Sequence, residues 1–458
     1  MKTSLVSFFA AAVVGLASFV GLSAKNTAAS GSGGDEAVRL RLDLDRTVLP
    51  AGSTEKAVIK ICLDGVRLPR PESRPPVNLS LVIDRSGSMS GDKIEKAREA
   101  ALEALSRLGA DDVLSVVAYD SSVETLVPAQ RVGDGRRIAA AIRSIRANGG
   151  TALFGGVSQG AAEIRKNLED RRYIHRVILL SDGQANVGPS TPDDLGRLGA
   201  ALMKEGVSVT TVGLGLGFNE DLMTRLAQRS DGNTYFVESS EDLPRIFAGE
   251  LGDVLNVVAR RVVVEVEFPE GVRPIGFVGR EGSIRGQKAE VTLNQIYGGQ
   301  EKFALIEVEV PARNEGVNLE LATARVTYDD ALKNKSATSH ARSAVTFSKR
   351  QDAVVGSANL KVQTDYAANV IAMTKDRAVE LVDDRQTARA AMELRQKAAE
   401  LQATASAYGN APMAALAKKQ EAEADRLERE GLSNKERKAY RAENAQTTGQ
   451  QSSGNSSP

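Results

Sequence analysis

Five oxygen-bearing side chains stand where predicted strands meet loops, and these are Asp84, Ser86, Ser88, Thr151 and Asp182. The first three directly follow Leu79–Ile83, a largely apolar run that is long enough for one buried strand. Thr151 follows two glycines, and Asp182 closes a second such run, Val177–Ser181. Open α/β sheets bind ligands on the loops at the carboxyl ends of their strands. Because carboxylate and hydroxyl oxygens without thiols or imidazoles suit hard cations, these residues predict a site for Mg²⁺ or Mn²⁺.

The elements that must position these residues can be read from the hydrophobic pattern. From residue 77 to residue 257, apolar runs of strand length alternate with segments of helical period. This alternation is typical of an α/β fold with a doubly wound, mostly parallel sheet. Asp92 and Glu95 predict a capping box at the start of the first helix, and Thr191 followed by Pro192 predicts a capped start for a later helix.

Together, the five residues resemble the metal-ion-dependent adhesion site of the von Willebrand factor A domain, which is the fold of the integrin inserted domain. The motif is complete, with Asp84-x-Ser86-x-Ser88 followed by Thr151 and Asp182. The hydroxyls of Ser86 and Ser88 could fill adjacent positions around the metal, and Thr151 a third. The resemblance implies that Asp84 and Asp182 act mainly through bridging waters or hydrogen bonds. It also implies that the cation keeps an open position for a Glu or Asp side chain of a partner protein.

Strand patterns with a period of two lie on both sides of this domain. Residues 36–68 and residues 258–348 alternate apolar and polar side chains, as in Val38–Asp45 and Val262–Phe268. The pattern favours one β-sandwich interrupted by the α/β domain, and two independent β pieces would leave the same pattern. The interrupted arrangement resembles the integrin hybrid domain and bacterial exported proteins likened to inter-α-trypsin inhibitor heavy chains. Prolines between residues 69 and 76 predict a stiff linker into the α/β domain.

The C-terminal part returns to a helical pattern. Residues 359–444 are rich in Ala and charged residues, with a break at Gly409–Pro412. Narrow apolar stripes on such helices predict a helical hairpin or a short coiled coil. Helices of this kind either pack on their own chain or mediate self-association. Residues 445–458, rich in Gln, Ser and Gly, predict a disordered tail.

The N-terminus predicts export. Lys2 is followed by an uncharged stretch from Leu5 to Leu22 and then by small residues, which resembles a secretory signal peptide over residues 1–29. The stretch is also barely long enough to span a bilayer, so an uncleaved membrane anchor is the alternative. We therefore expect a periplasmic or extracellular protein. Cys62 is the single cysteine, which excludes an intramolecular disulfide.

The composition argues against nucleic-acid binding. Lys plus Arg and Asp plus Glu each number 59, the chain has no Trp, and aromatic residues make up 4% of it. A chain of this kind offers neither a strong positive field nor a surface of aromatic rings on which bases could stack.

Catalytic interpretations find little support in the motifs. A phosphoaspartyl enzyme of the D-x-D type needs a second acid where this chain has Ser86. The chain has two histidines, and His175 lies seven residues before Asp182, roughly 23 Å away along an extended strand. His340 belongs to the sandwich, so a His-dependent triad is disfavoured, although Glu or Lys could still serve as a base. Gly213–Gly217 lacks the glycine spacing of a dinucleotide site.

The favoured interpretation is a divalent-cation-dependent, adhesion-type protein-binding module of an exported protein, without enzyme activity. The alternative is a structural or assembly protein of the cell envelope, whose metal site only stabilises the loops. Tyr119, Asp120 and Asn186 are expected on loops around the site, where they either shape the choice of partner or have a plain loop role. The charge run Lys93–Arg98 predicts a solvated helix face.

Overall fold

The computed structural model of the chain describes residues 36–67 and 74–451. The predicted signal segment, residues 30–35, most of the Pro-rich linker and the last residues of the predicted tail lie outside these ranges. Within the described ranges, no helix combines the length and the apolar character that crossing a membrane requires.

An α/β domain comes after three short leading strands, which are β1 (Val38–Leu44), β2 (Val48–Pro50) and β3 (Glu55–Gly65). The strands of the α/β domain are β4 (Val77–Asp84), β5 (Val113–Tyr119), β6 (Val123–Arg131), β7 (Ile174–Ser181), β8 (Val207–Leu214) and β9 (Thr234–Val237). They form one sheet in the order β6-β5-β4-β7-β8-β9, in which β6 runs antiparallel and the other strands run parallel. The central strands are buried along their whole length, as expected when helices cover both faces of a sheet.

Six helices cover the two faces of this sheet, and they are α1 (Asp92–Arg107), α2 (Arg136–Ser144), α3 (Leu153–Arg165), α4 (Pro192–Lys204), α5 (Glu220–Arg229) and α6 (Leu243–Val254). Ile94 of α1 and Phe247 of α6 belong to the core on one face, together with apolar residues of α2. Val157 of α3 and Leu226 of α5 belong to the core on the other face, together with α4. The predicted doubly wound α/β fold is therefore confirmed.

The two predicted helix starts have different outcomes. Thr191 caps α4, because its side chain accepts a hydrogen bond from the backbone N of Asp194 at 3.2 Å in a complete capping box. The predicted box of Asp92 and Glu95 is wrong, because α1 begins at Asp92 itself, directly after Gly91 with a φ of 75°. Both acids already lie in the first turn of the helix, where their charge favours the helix N-terminus without capping it.

A β-sandwich encloses the α/β domain in sequence. Its later strands are β10 (Val257–Glu267), β11 (Arg273–Val278), β12 (Ser283–Arg285), β13 (Lys288–Tyr297), β14 (Glu301–Val310), β15 (Asn318–Asp330) and β16 (Lys335–Ser348). One sheet has the order β1-β3-β14-β11, and the other has the order β12-β13-β10-β15-β16-β2. Strand β3 pairs with β14 along its length, from Glu55 opposite Val310 to Asp64 opposite Glu301. Since these partners lie on either side of the α/β domain in the chain, one interrupted sandwich is confirmed.

The C-terminal helices are α7 (Gln351–Gly356), α8 (Leu360–Asp383), α9 (Thr387–Tyr408), α10 (Ala411–Glu430) and α11 (Asn434–Gly449). Helices α8, α9 and α10 pack together through small and apolar residues such as Ala367, Leu401 and Ala417. The structure thus adds a third helix to the arrangement that the predicted helical hairpin or coiled coil describes. Alanines on facing positions let three helices approach one another closely, so a single apolar stripe on each helix serves more than one neighbour.

Helix α11 and the two residues after it, the last described part of the chain, lie against the α/β domain. On α11, Gln446 Nε2 donates to the Thr234 carbonyl at 3.0 Å, and Gln451 Oε1 accepts from the Thr234 backbone N at 3.1 Å. These bonds cover β9, which is the edge strand of the α/β sheet. The prediction of a disordered tail is therefore wrong for residues 445–451. The amide side chains that suggested disorder instead satisfy the backbone of an edge strand.

Lys438 fixes α11 against the α/β domain. Its side chain is 3% exposed, and its Nζ donates to the Phe218 carbonyl at 2.6 Å and lies 4.5 Å from the centre of the Phe218 ring. It also forms an ion pair with Glu220 at the start of α5. A buried ammonium needs such a complete set of partners, so this contact holds α11 in one place.

Candidate metal centre

Asp84 forms the floor of the candidate site. It is the last residue of β4 and is fully buried. Its carboxylate accepts hydrogen bonds from the backbone N of Ser86 at 2.8 Å and from Ser181 Oγ at 2.6 Å. Burial raises the pKa of Asp84 above its ordinary value, and the hydrogen bonds from Ser181 and Ser86 oppose that rise. Both carboxylate oxygens are thus engaged by the protein itself. Ser181, which sequence reasoning did not single out, precedes Asp182 at the end of β7.

Ser86 and Ser88 lie side by side above Asp84. Their hydroxyl oxygens are 3.0 Å apart, and Ser88 Oγ donates to Asp182 Oδ1 at 2.7 Å. Ser88 lies in a single helical turn, Gly87–Met89, which follows Ser86 directly and which the fully buried Met89 anchors in the core. A backbone hydrogen bond of 3.0 Å from Gly87 N to the Gly149 carbonyl ties this loop to the loop that carries Thr151.

Thr151 approaches the same place from its separate loop. Its backbone N donates to Asn186 Oδ1 at 2.9 Å, which fixes the start of α3 next to the loop after β7. A Cβ built on Gly183 would lie 3.2 Å from Thr151 Oγ1 and 3.5 Å from Ser88 Oγ. The structure therefore brings the hydroxyls of Thr151 and Ser88 to one point beside Gly183, where a larger residue would crowd both.

Asp182 completes the cluster and reveals a contact that the sequence did not predict. Its side chain is fully buried, with Oδ1 bound to Ser88 and Oδ2 paired with the ammonium of Lys93. The Lys93 ammonium also donates to the Ser88 carbonyl at 3.3 Å. The prediction of a solvated helix face describes Lys93 only in part, because its side chain is 38% exposed while its ammonium pairs with the buried Asp182. The first turn of α1 lies directly behind the Ser88 loop, so the side chain reaches back over that loop to Asp182.

The residues expected around the site divide into two groups. Asn186 supports Thr151, and Asp120 binds Arg85 Nε at 2.9 Å and the backbone N of Ser122 at 2.8 Å. Although burial opposes it, these bonds lower the pKa of Asp120. Tyr119 does not lie on a loop around the site. It is fully buried at the end of β5, packed so closely against α3 that a Cβ on Gly156 would lie 2.6 Å from its ring.

The donor set suits a small, hard cation. Two ligands on neighbouring octahedral positions, each about 2.1 Å from Mg²⁺, lie about 3.0 Å apart. Ser86 Oγ and Ser88 Oγ are separated by that distance, 3.0 Å. In the described residues, 36–67 and 74–451, no group of three or more His, Cys, Asp or Glu side chains could hold a metal. A cation at this edge of the sheet would therefore depend on the hydroxyl oxygens of Ser86, Ser88 and Thr151.

The two histidines lie away from these groups. His175 is on β7 near the end opposite to Asp182, where its Nδ1 lies 3.2 Å from Asn78 Nδ2. Burial, together with the charges of Arg260 and Arg261, lowers the pKa of His175 to about 4. His340 lies on β16 of the sandwich, opposite Arg325.

The six-stranded sheet and the oxygen-rich loops at its carboxyl edge are the features of a von Willebrand factor type A domain. Residues 78–249 match the family of that description, von Willebrand factor type A domain. The chain therefore contains a domain of this family, and the predicted resemblance to the von Willebrand factor A domain is confirmed, while the five metal-site residues stay a prediction.

Relatives extend the similarity beyond this domain. The chain is 30% identical over 275 residues to the uncharacterized protein sll0103 of Synechocystis sp., covering 58% of this chain and 64% of that protein. It is 28% identical over 212 residues to human inter-alpha-trypsin inhibitor heavy chain H3, covering 44% of this chain and 23% of that protein. The chain thus spans less than two thirds of the length of these relatives, and the predicted distant likeness to the heavy chains is confirmed.

Solved structures share the fold over most of the chain. A von Willebrand factor type A protein from Catenulispora acidiphila superposes with a TM-score of 0.64 at 18% identity, covering 82% of this chain and 89% of that chain. The ArnB paralog VWA2 from Sulfolobus acidocaldarius gives a TM-score of 0.59 at 16% identity, covering 90% and 98%. These likenesses show the fold alone. The superposed part of the chain extends beyond the α/β domain.

Proposed function

We propose that the von Willebrand factor A domain binds Mg²⁺ or Mn²⁺ through the hydroxyls of Ser86, Ser88 and Thr151, and that the cation then binds an Asp or Glu side chain of a partner protein. One observation carries this proposal. The carboxylates of Asp84 and Asp182 are both buried and already engaged by donors within the protein. Neutral hydroxyls then remain as direct ligands, and a cation held by neutral ligands attracts a carboxylate from outside.

The rest of the chain supplies the setting for this binding. Domains of the von Willebrand factor A family are generally binding modules without catalytic activity, which supports a partner protein over a substrate. From the N-terminal sequence we further propose that the protein is exported to the periplasm or the extracellular space, with its signal either cleaved or kept as an anchor. The C-terminal helices offer a further surface for self-association.

The alternative function is structural, with a metal that only holds the loops together. It is supported by the way α11 fixes the α/β domain, through Lys438 on one side and through bonds to the sandwich on the other, such as Lys302 Nζ to the Gly449 carbonyl at 2.7 Å. A domain held in this way would suit an assembly protein of the envelope. The two functions differ in whether partner binding requires the cation.

Metal binding is tested first, with two serines of one loop. We expect Ser88→Ala to abolish the binding of Mn²⁺ in calorimetric titration of the full chain. Ser90→Ala is the matched control, because Ser90 Oγ is exposed and bonds only to the Gly87 carbonyl among the described residues, at 2.7 Å. Saturation at about 100 times the dissociation constant should stabilise the wild type by roughly 2.7 kcal/mol. Equal Mn²⁺ binding by both variants would contradict the proposed ligands.

Partner chemistry is tested with a displayed peptide library. Peptides are captured on the immobilised chain in Mg²⁺ and released with EDTA. We expect enrichment of Asp or Glu at one position, loss of binding when that residue is changed to its amide, and no enrichment on Thr151→Ala. Capture that withstands both EDTA and Thr151→Ala would overturn the adhesion proposal in favour of the structural one.

A further inference from the structure

Lys93 places a positive charge of the chain inside the candidate metal centre. We propose that its ammonium is a built-in counter-cation of Asp182, which keeps the centre folded without metal and weakens its hold on a divalent cation. This inference rests on the proposed function, because it concerns the same site. It adds a residue outside the five-residue motif and gives that residue a defined effect on metal binding.

The contact joins one buried group to one accessible group. The side chain of Asp182 is 0% exposed, whereas that of Lys93 is 38% exposed. A buried carboxylate is costly unless a cation or several donors compensate for its charge. Within residues 36–67 and 74–451, Asp182 has one neutral side-chain donor, Ser88 Oγ, and the Lys93 ammonium supplies the positive charge. The accessible side chain can withdraw from this contact while the carboxylate cannot.

The position of Lys93 in its helix supports the same role. Lys93 lies in the first turn of α1, directly after Asp92. The N-terminal end of a helix favours anions and disfavours cations, so a lysine there gains nothing from the helix itself. Its contacts with Asp182 and with the Ser88 carbonyl offset that disadvantage. The lysine is therefore held at this place by the metal centre.

The net charge of the centre determines how strongly it binds a cation and an anion. Asp84 and Asp182 contribute two negative charges, and Lys93 contributes one positive charge. A divalent cation would then leave the centre with one positive charge in excess, which favours a carboxylate from a partner. Without Lys93 the same cation would be neutralised within the chain. Lys93 thus lowers the affinity of the centre for the cation and strengthens the attraction of the cation-bound centre for an anionic ligand.

The test compares Lys93→Met with Lys96→Met in the full chain. Lys96 is the matched control, because it lies one turn further along α1 and pairs with the exposed Glu99. In EDTA, Lys93→Met should melt at a lower temperature than the wild type and Lys96→Met. In calorimetric titration with Mn²⁺ alone, Lys93→Met should have a dissociation constant at least about fivefold lower than that of the wild type or Lys96→Met. Lys93→Arg, which keeps the charge, should remain close to the wild type in both measurements.

Each outcome has a defined meaning. If Lys93→Met does not fold in EDTA but folds when Mn²⁺ is added, the counter-cation role is supported, since the metal then replaces the lost charge. If Lys93→Met and Lys96→Met have the same melting temperature in EDTA and the same Mn²⁺ affinity, the inference is overturned while the proposed function stands. If the wild type binds no Mn²⁺, the proposed function fails, and so does the claim that Lys93 weakens the binding of the cation. The melting temperatures in EDTA then report on the Lys93 contact alone.

Discussion

The two ends of the parallel sheet in the von Willebrand factor A domain are both rich in polar residues, yet they are arranged for opposite purposes. At the carboxyl end, Ser88 is exposed, while Ser86 and Thr151 are buried beside it, and the hydroxyl oxygens of Ser86 and Ser88 are 3.0 Å apart. At the amino end, Arg176 of β7 is completely buried and donates to Thr210 at 3.0 Å and to Gln295 and Tyr297 of the sandwich, each at 2.7 Å. The carboxyl end reaches solvent through Ser88, whereas the amino end bonds its polar atoms to the rest of the chain.

The difference teaches how a binding edge can be distinguished from a structural one. Glu250, which lies 3.5 Å from Arg176, accepts hydrogen bonds from Thr210, Asn233 and Tyr235 at 2.5, 2.8 and 3.0 Å. Its carboxylate is therefore saturated within the chain. At the carboxyl end, the buried carboxylates are also satisfied, but the hydroxyls beside them have few partners. Hydroxyl oxygens with few partners beside saturated carboxylates, reached by solvent through the exposed Ser88, are what we expect of an edge that binds a ligand.

The largest effect is expected at the amino end. Arg176→Met would leave Glu250, which is 1% exposed, without its cation. Removing one partner of a buried ion pair costs about 3–5 kcal/mol, and we expect that loss in urea unfolding of the full chain. Because this end is remote from the metal centre, the stabilisation of the variant by Mn²⁺ should match that of the wild type.

Arg172→Met is the control for this variant. Arg172 is an exposed arginine just before β7 that pairs with Asp170 on the surface. We expect Arg172→Met to leave the urea midpoint of unfolding unchanged. If Arg176→Met unfolds at the same urea concentration as the control, the buried network is not what joins the domain to the sandwich.

The sequence predicted what depends on local pattern and missed what depends on distant segments. Strand and helix periods placed the α/β domain and the sandwich, and the spacing from Asp84 to Asp182 gave the candidate site. The contact of Lys93 with Asp182 joins α1 to the end of β7, and no periodicity reports on such a pair. Gln446 and Gln451 were assigned to disorder for the same reason. A polar tail is disordered only if no edge strand lies within its reach.

An effect of intermediate size is expected from pH, which changes the free energy of unfolding through His175 at the amino end. His175 has a pKa of about 4 in the folded chain, against an ordinary value of 6.5, because it is buried and close to Arg260 and Arg261. Between these two values the unfolded chain binds a proton that the folded chain does not, so the free energy of unfolding falls as the pH falls. The loss reaches up to about 3 kcal/mol by pH 4.

The measurement is urea unfolding at a series of pH values from 7 down to 4. His175→Gln should show a shallower decline of stability over this range than the wild type. His340→Gln, which changes an exposed histidine of the sandwich, should behave like the wild type. Parallel curves for all three proteins would mean that His175 titrates normally and that the amino end is more open to water than the structure shows.

The smallest effect on stability is expected at the carboxyl end. Ser86 Oγ lies 3.0 Å from Ser88 Oγ, its hydrogen-bonding neighbour on the same loop. The loss of one such bond costs about 0.5–1.5 kcal/mol, so Ser86→Ala should unfold in EDTA close to the wild type. The same variant should lose the stabilisation by Mn²⁺, because it removes one of the three proposed direct ligands. Arg176→Met should show the reverse, with a large loss in EDTA and an intact response to the metal. If Ser86→Ala proves as destabilising in EDTA as Arg176→Met, the hydroxyls at the carboxyl end serve the fold as the amino end does, and the distinction between a binding edge and a structural edge fails.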